Sequence, residues 1–383
     1  EDISLEKVRN TVEECFPGLW SAVEAALATC AALFLKDNSN PPALVFVGPP
    51  SSSKTTVLEM FARHDLCYVS DSFTPASFVT HAASVEREAL KDIDLLPRIQ
   101  GKVLVTPELA PVFRGKEHEL AQRFALLTRV LDGQGLMTDS GTHGRRGYRG
   151  DYLFAWLGCT TPFGPKVWEV MAQLGSRLFF YRMDDDVEVT VDDLLRGTEA
   201  VPYCNRLAVC REEVSIFLSG LFKTYKGVRG VEWSRDEDDS ESREWIARLA
   251  LLLAEVRGRE GPYRAHAVLD NFARGHALIC GRRSLTYDDL QLVAHITVST
   301  IPEPGGPLFR GLVQGGGSLT VSQAQTVLKV ASPETARRWM RDPGHHAVME
   351  FVEEGPGKAA YLRIRPKWEW CVSPEFKRVL CDG

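Results

Sequence analysis

Short apolar runs alternate with amphipathic, helix-like stretches over the first half of the chain. The runs at Ala43–Val47, Leu66–Val69, 102–108 and 152–161, and a further run after Arg177, are rich in Val, Leu and aromatic residues. Such runs are typical of strands that are buried on both faces. Because helical patterns lie between them, the sequence predicts an α/β fold with a parallel sheet flanked by helices.

The pattern changes after residue 187. Residues 188–300 have a mostly helical pattern. The segment that begins at Ile301 is rich in proline and glycine, which is typical of a linker. We therefore predict four units along the chain, namely an α/β core at 1–187, a helical unit at 188–300, a linker at 301–317 and a C-terminal unit at 318–383.

The C-terminal unit has the pattern of a winged helix-turn-helix. Two short helices, the second begun by Ser332 and Pro333, precede two alternating segments around Gly355–Lys358. A recognition helix in this pattern would contact DNA, although such units also dock proteins, and both interpretations remain open. The candidate nucleic-acid contacts here are Thr335, Arg337, Arg338, Arg341 and Lys358.

Composition and charge narrow the class of protein. With 44% hydrophobic and 25% charged residues, the chain has an ordinary globular composition, and it contains no apolar run of the roughly 18 residues that would indicate a membrane span. Nine scattered cysteines without a C-x-x-C pair indicate neither a zinc site nor a disulfide framework, which favours a reduced, cytoplasmic protein. Since no apolar run is long enough for a membrane span, we expect no membrane partner. The net charge is −6, but residues 307–383 carry +3 and the remainder −9, so a DNA-facing C-terminal unit is compatible with the charge.

The first apolar run leads directly into a phosphate-binding motif, GPPSSSKTT. This is G-x-x-x-x-G-K-[ST], the P-loop pattern, with Ser53 in place of the second glycine. Backbone N–H groups of such a loop converge on phosphate oxygens at a helix N-terminus, while Lys54 reaches the β- and γ-phosphates and the Thr55 hydroxyl binds Mg²⁺. Serine resists backbone angles that glycine allows, so an ordinary serine-rich loop is the alternative. The predicted ligands are ATP and Mg²⁺, held by Gly48, Ser51, Ser52, Ser53, Lys54, Thr55 and Thr56.

Two further strands end in polar residues. Glu108 follows one of them, where a carboxylate can hold Mg²⁺ or polarise the attacking water, although strands also end in surface acids. Thr160 and Thr161 end the next strand, at the sheet edge where open α/β sheets bind ligands.

A stretch of small and basic residues precedes that last strand. Ser140–Asp151 reads SGTHGRRGYRGD, which cannot pack into a core and predicts an exposed hairpin. Its arginines could contact DNA phosphates, or the segment could be a solvated loop. The predicted contacts are His143, Arg145, Arg146 and Arg149.

In this order of motifs, the chain resembles an AAA+ ATPase over about residues 10–300. It is similar to the branch with a hairpin before the sensor strand, which includes the minichromosome maintenance (MCM) helicases, and to ATPases carried by phages and mobile elements. The sequence has no counterpart of the amino-terminal MCM domain or its zinc motif.

The resemblance implies roles for residues that no motif assigns alone. The helical unit would be a lid, Thr160 or Thr161 would be sensor 1, and Arg177, within Gly-Ser-Arg-Leu-Phe, would be an arginine finger acting in a neighbouring subunit. Arg264, with Arg274 as the alternative, would be sensor 2. The resemblance also implies a homo-oligomeric ring, usually of six subunits.

The sequence therefore predicts a DNA-associated AAA+ ATPase, either a helicase or a translocase. An ATP-gated regulatory or defence switch is the first alternative. A nucleotide-binding scaffold with little turnover is the second, because Ser53 departs from the motif and Glu108 is a single acid.

Overall fold

The computed structural model describes residues 4–80, 89–141, 144–173, 177–183, 201–258, 261–342, 346–353 and 359–381, together with residues 175, 191 and 355. Two predicted nucleic-acid contacts, His143 and Lys358, lie outside these described residues.

The described strands are, in chain order, β1 (Ala43–Val47), β2 (Cys67–Val69), β3 (Val103–Thr106), β4 (Gly135–Ser140), β5 (Gly144–Arg149), β6 (Ala155–Thr160), β7 (Phe179–Arg182), β8 (Ser318–Thr320), β9 (Met349–Val352) and β10 (Tyr361–Ile364). The described α-helices are α1 (Leu5–Cys15), α2 (Trp20–Ala31), α3 (Lys54–Glu59), α4 (Leu90–Ile93), α5 (Leu95–Ile99), α6 (Glu117–Val130), α7 (Pro165–Gln173), α8 (Tyr203–Thr224), α9 (Ser240–Val256), α10 (Pro262–Ile279), α11 (Leu290–Ser299), α12 (Gly305–Gln314), α13 (Val321–Leu328), α14 (Pro333–Met340) and α15 (Pro374–Cys381). Short 3-10 helices lie at Ala32–Phe34, Pro75–Ser77, Ala110–Phe113, Tyr287–Asp289 and Pro366–Val372.

Five parallel strands form the central sheet, in the order β2-β3-β6-β1-β7. Every residue of β1 is buried, because Leu44 and Phe46 contribute to one apolar cluster and Ala43, Val45 and Val47 to the other, on opposite faces of the sheet. The predicted α/β fold with a parallel sheet flanked by helices is confirmed. Since all five strands run in the same direction, the chain leaves each of them at the same edge.

The helical region packs tightly against the face of the sheet covered by α2. Helices α2 and α10 approach so closely that a Cβ on Gly275 would lie 2.1 Å from the carbonyl oxygen of Ala28. The next residue, His276, is buried, and its Nδ1 lies 2.7 Å from Asp289, which Arg282 also contacts. Burial by itself lowers the pKa of His276. Hydrogen bonds outweigh this effect and raise the pKa to about 12, and the bond with Asp289 contributes most to the increase. The imidazolium therefore stays charged at neutral pH and ties α10 to the segment that follows it.

Most of the segment predicted as a linker, 301–317, is helical in the structure. Residues 305–314 form α12, in which Leu308, Phe309, Leu312 and Val313 are fully buried. The prolines and glycines that suggested a linker lie before the helix and in its first turn, where missing or unpaired N–H groups are tolerated. The apolar pattern that follows them is helical and was hidden by the composition.

The C-terminal region packs onto the helical region through aromatic side chains. After α12 come β8, α13, α14, β9 and β10, with the three strands paired in the antiparallel order β8-β10-β9. Trp245 of α9 packs against Trp370 and Phe376, with ring centroids 5.7 and 6.0 Å apart. The division into four units stays a prediction, but no free linker separates the last of them from the rest.

None of the helices in the described residues is both long enough and apolar enough to cross a bilayer.

The burial of α12 predicts a large loss of stability for Leu312→Ala. Removing a fully buried leucine side chain leaves a cavity and should cost about 2–5 kcal/mol of unfolding free energy. The matched control is Leu251→Ala in α9, whose side chain is 51% exposed and whose replacement should change stability by no more than about 0.5 kcal/mol. Chemical denaturation of both variants tests the difference. Equal midpoints would contradict the burial of α12 and favour a linker at residues 305–314.

Candidate active site

The loop between β1 and α3, which carries the predicted phosphate-binding motif, holds two serines in the left-handed region. A Cβ on Gly48 would lie 2.6 Å from Oγ of Ser52, so the close approach of these two residues favours glycine at position 48. Ser51 and Ser53 have φ angles of 66° and 60°, and the usual glycine is replaced at Ser53 without loss of this left-handed conformation. A non-glycine residue in this region costs about 1–2 kcal/mol, and such strain is concentrated at functional sites.

Lys54 extends over this loop. Its side chain donates to the carbonyl oxygen of Gly48 at 2.8 Å, to Oγ of Ser52 at 2.9 Å and to the carbonyl oxygen of Pro49. The residue is only 8% exposed, so the ammonium is held against the loop rather than in solvent. The charge therefore stands within the curve of backbone where an anion would be held.

The sheet brings Lys54, Glu108 and Thr160 to one edge. Lys54 follows β1, Glu108 follows β3, and Thr160 ends β6, which lies between them in the sheet. The backbone N–H of Gly48 is 3.4 Å from the carbonyl oxygen of Thr160. Burial raises the pKa of the neighbouring Cys159 thiol, and both Lys54 and Glu108 lie near enough to act on it, the ammonium lowering the pKa and the carboxylate raising it.

The acid and the threonines differ in their exposure. Glu108 is exposed, and one carboxylate oxygen accepts the N–H of Ala110 at 2.8 Å. Thr160 is buried and donates to the carbonyl oxygen of Thr161, which is half-buried. The geometry therefore leaves sensor 1 open between Thr160 and Thr161.

An aromatic contact beside α3 could not be foreseen from the motifs. The Thr56 hydroxyl lies 3.1 Å from the hydroxyl of Tyr203, the first residue of α8, whereas Thr55 is exposed. The Tyr203 ring packs edge-on against Phe16, and the guanidinium of Arg206 lies over Phe16 at 4.9 Å. These residues are distant in sequence, so only the fold joins the helical region to the phosphate-binding loop.

Arg177 and Arg264 lie together at the opposite edge of the sheet. Arg177 precedes β7, whose Phe179 pairs with Leu44 at the start of β1. Arg264 donates to Asn40, which precedes β1, at 3.1 Å. Both also contact one oxygen of the Asp132 carboxylate. The length of β1 alone, about 15 Å, separates them from the phosphate-binding loop of the same chain.

Arg274, the alternative sensor 2 candidate, is a buried residue whose charge is paired within the subunit. It is buried and forms ion pairs with Asp37 at 2.7 Å and with Asp270 at 2.9 Å. Its charge is thus engaged by Asp270 of α10 and by Asp37, which lies before β1, and between the two candidates the exposure and position favour Arg264.

The basic stretch before β6 forms a two-stranded hairpin of β4 and β5, which begins five residues before the segment expected from sequence. Gly147 has φ 126°, and a Cβ there would lie 2.0 Å from the carbonyl oxygen of Leu136. Tyr148 donates to Asp94 at 2.6 Å, and burial together with this bond raises the pKa of its phenol. The hairpin is thereby fixed at its base, while Arg145 and Arg149 are exposed and Arg146 is half-buried.

The C-terminal candidates lie on or beside α14. Ser332 caps this helix by accepting the N–H of Thr335, and Pro333 is its first residue, as the sequence predicted. Arg337 pairs with Glu334 at 2.6 Å, and Arg341 pairs with Glu353 at 2.9 Å. Arg338 is exposed.

Among the described residues there is no group of three or more His, Cys, Asp and Glu side chains that could hold a metal ion. Mg²⁺ bound with a nucleotide needs only one or two protein oxygens, because phosphate oxygens and water supply the others. Thr55 and Glu108, both exposed at the carboxyl edge, fit that requirement.

No protein-family model matches the sequence, and a search of curated proteins gives no match. Among solved structures, the chain is similar to a full-length MCM homolog from Methanopyrus kandleri, with 12% sequence identity and a TM-score of 0.43. The similarity covers 78% of this chain and 59% of the homolog, so this chain spans less than two thirds of that protein.

The strained serine predicts a stabilising substitution. Ser53→Gly should raise the unfolding free energy by about 1 kcal/mol, because glycine adopts the left-handed conformation without steric cost. Ser72→Gly is the matched control at an exposed loop position without a positive φ, where added chain entropy should make the change neutral or slightly unfavourable. Thermal unfolding of both variants decides, and a loss of stability in Ser53→Gly would mean that the serine side chain contributes more than its backbone strain costs.

Proposed function

We propose that this protein is an ATP-hydrolysing, DNA-associated AAA+ ring. The observation that carries the proposal is the separation of two sets of residues. Lys54, Glu108 and Thr160 meet at the carboxyl edge of the sheet, whereas Arg177 and Arg264 lie at the amino edge. A subunit with this arrangement cannot complete its own phosphate site, but it can complete that of a neighbour.

Within one subunit, the loop and its neighbours hold and orient the nucleotide. Lys54 would exchange its carbonyl and hydroxyl partners for phosphate oxygens, and N–H groups at the start of α3 would donate to them. Thr55 and Glu108 would hold Mg²⁺, which neutralises charge that develops on the phosphates. Glu108 would also accept a proton from the attacking water, and Thr160 or Thr161 would orient that water.

Between subunits, Arg177 and Arg264 would enter the neighbour's site from the same side. The contact joins two different faces of the subunit, which is a head-to-tail interface that closes into a ring when the rotation permits. A planar guanidinium suits transferring phosphate oxygens because it donates in a fixed geometry. We propose six subunits, and we propose sensor 2 action of Arg264 in trans rather than on its own lid.

DNA contact is proposed at two places. Arg145, Arg146 and Arg149 on the hairpin would line the central pore, and α14 would act as the recognition helix of a winged helix-turn-helix at residues 318–383. ATP hydrolysis would then drive translocation along a DNA strand or separation of a DNA duplex. An ATP-gated switch would share the sites but separate no strands, and a scaffold would bind nucleotide with little turnover.

Mixing subunits tests whether sites are shared. Lys54→Ala and Arg177→Ala should each lose ATPase activity, while an equal mixture should regain about a quarter of wild-type turnover, because random assembly pairs intact loops with intact arginines at that frequency. Arg129→Ala, an exposed arginine near Asp132, is the matched control and should keep activity. Full turnover in Arg177→Ala would remove the finger assignment, and no recovery on mixing would mean that the arginine acts within its own subunit.

Salt dependence tests the hairpin. Arg145→Ala should weaken single-stranded DNA binding and lower the slope of log K against log salt by about 0.7, the value for one lost phosphate contact on a single strand. Arg243→Ala, an exposed arginine on α9, is the control. Fluorescence anisotropy at several salt concentrations measures both, and equal slopes would assign DNA binding to another surface.

A further inference from the structure

Asp132 joins the two arginines that the proposed function places in a neighbour's site. Its side chain, directly after α6, is 20% exposed. Nε of Arg177 lies 3.1 Å from Oδ1 of Asp132, and Nη1 of Arg264 lies 2.8 Å from the same oxygen. Two guanidinium groups therefore converge on a single carboxylate oxygen.

Three separate elements build this contact. Asp132 comes from the turn after α6, Arg177 from the segment before β7, and Arg264 from the first turn of α10. Arg264 also donates to Asn40, and Arg177 to the carbonyl oxygen of Gly175, so each guanidinium is oriented by an acceptor besides Asp132. The contact fixes the sheet, the helical region and the turn before the hairpin relative to one another.

Charge explains why the carboxylate is needed. Two guanidinium groups bound to one oxygen lie within a few ångströms of each other, where their like charges repel. Arg177 is only 17% exposed, so water screens this repulsion weakly. A carboxylate between them offsets the repulsion, and its removal would let the two arginines separate.

We propose that Asp132 is the positioning residue that holds Arg177 and Arg264 as a pair, so that both reach the γ-phosphate region of the adjoining subunit together. This inference rests on the proposed function, because it assumes that both arginines act in trans. It adds a residue that no motif assigned, and it makes the two arginines one functional unit rather than two independent ones.

Asp132→Asn tests the proposal because it keeps the size and one oxygen acceptor but removes the charge. The turnover number at saturating ATP should fall about 10- to 100-fold, as expected for a misplaced catalytic group, while KM for ATP changes little because the nucleotide-holding loop is intact. Arg129→Ala, which removes a more distant and exposed partner of the same carboxylate at 3.9 Å, should keep wild-type turnover.

Mixing separates positioning from general damage. Asp132→Asn subunits should be rescued by Lys54→Ala subunits, which supply intact arginines, but not by Arg177→Ala subunits, which lack the same function. Wild-type or increased turnover in Asp132→Asn, or rescue by Arg177→Ala, would overturn the proposal. If Arg177→Ala alone keeps full turnover, the proposed function fails and the pair has no catalytic role.

A double-mutant cycle tests the pair without touching Asp132, and so remains decisive if Asp132→Asn does not fold. Arg177→Ala, Arg264→Ala and the double variant should lower turnover by similar factors, because residues that act as a unit are strongly non-additive. Effects that multiply would show that the two arginines act independently, which contradicts the proposal.

Discussion

The direction of β1 is the constraint on which the candidate site depends. This strand is buried on both faces and hydrogen-bonded to parallel strands on both sides, so it can neither tilt nor shift register without breaking two ladders. Whatever follows it lies at one edge of the sheet, and whatever precedes it lies at the other. The predicted phosphate-binding loop and Asn40 are thereby held at fixed and opposite positions.

The sequence predicted the parts of the site that follow strands. Lys54, Glu108 and Thr160 could be placed at one edge because parallel strands share an edge, and the apolar runs that mark those strands are local signals. The left-handed backbone conformation of Ser53 could not be predicted from the sequence, because serine usually avoids this conformation. The local preference was overridden by the closure of the loop around Gly48.

Residues that act through tertiary contacts were beyond sequence reasoning. Arg264 and Asn40 are 224 positions apart, and nothing in either neighbourhood indicates that they are in contact. The contact between Thr56 and Tyr203 is similar, since α8 carries no motif. The helix within the predicted linker was missed for a different reason, because the proline and glycine content before it masked the helical spacing of Leu308 and Leu312.

The aromatic packing of Trp245 against Trp370 and Phe376 has a consequence for how the C-terminal region meets a ligand. A module on a flexible tether samples many orientations, and its effective concentration at a second site depends on tether length. Here two aromatic side chains of the C-terminal region pack against Trp245 of α9, and this packing restrains the orientation of the region. A ligand bound by α14 would therefore meet the rest of the molecule in a restrained orientation. A rotation of α9 would move that ligand together with the C-terminal region.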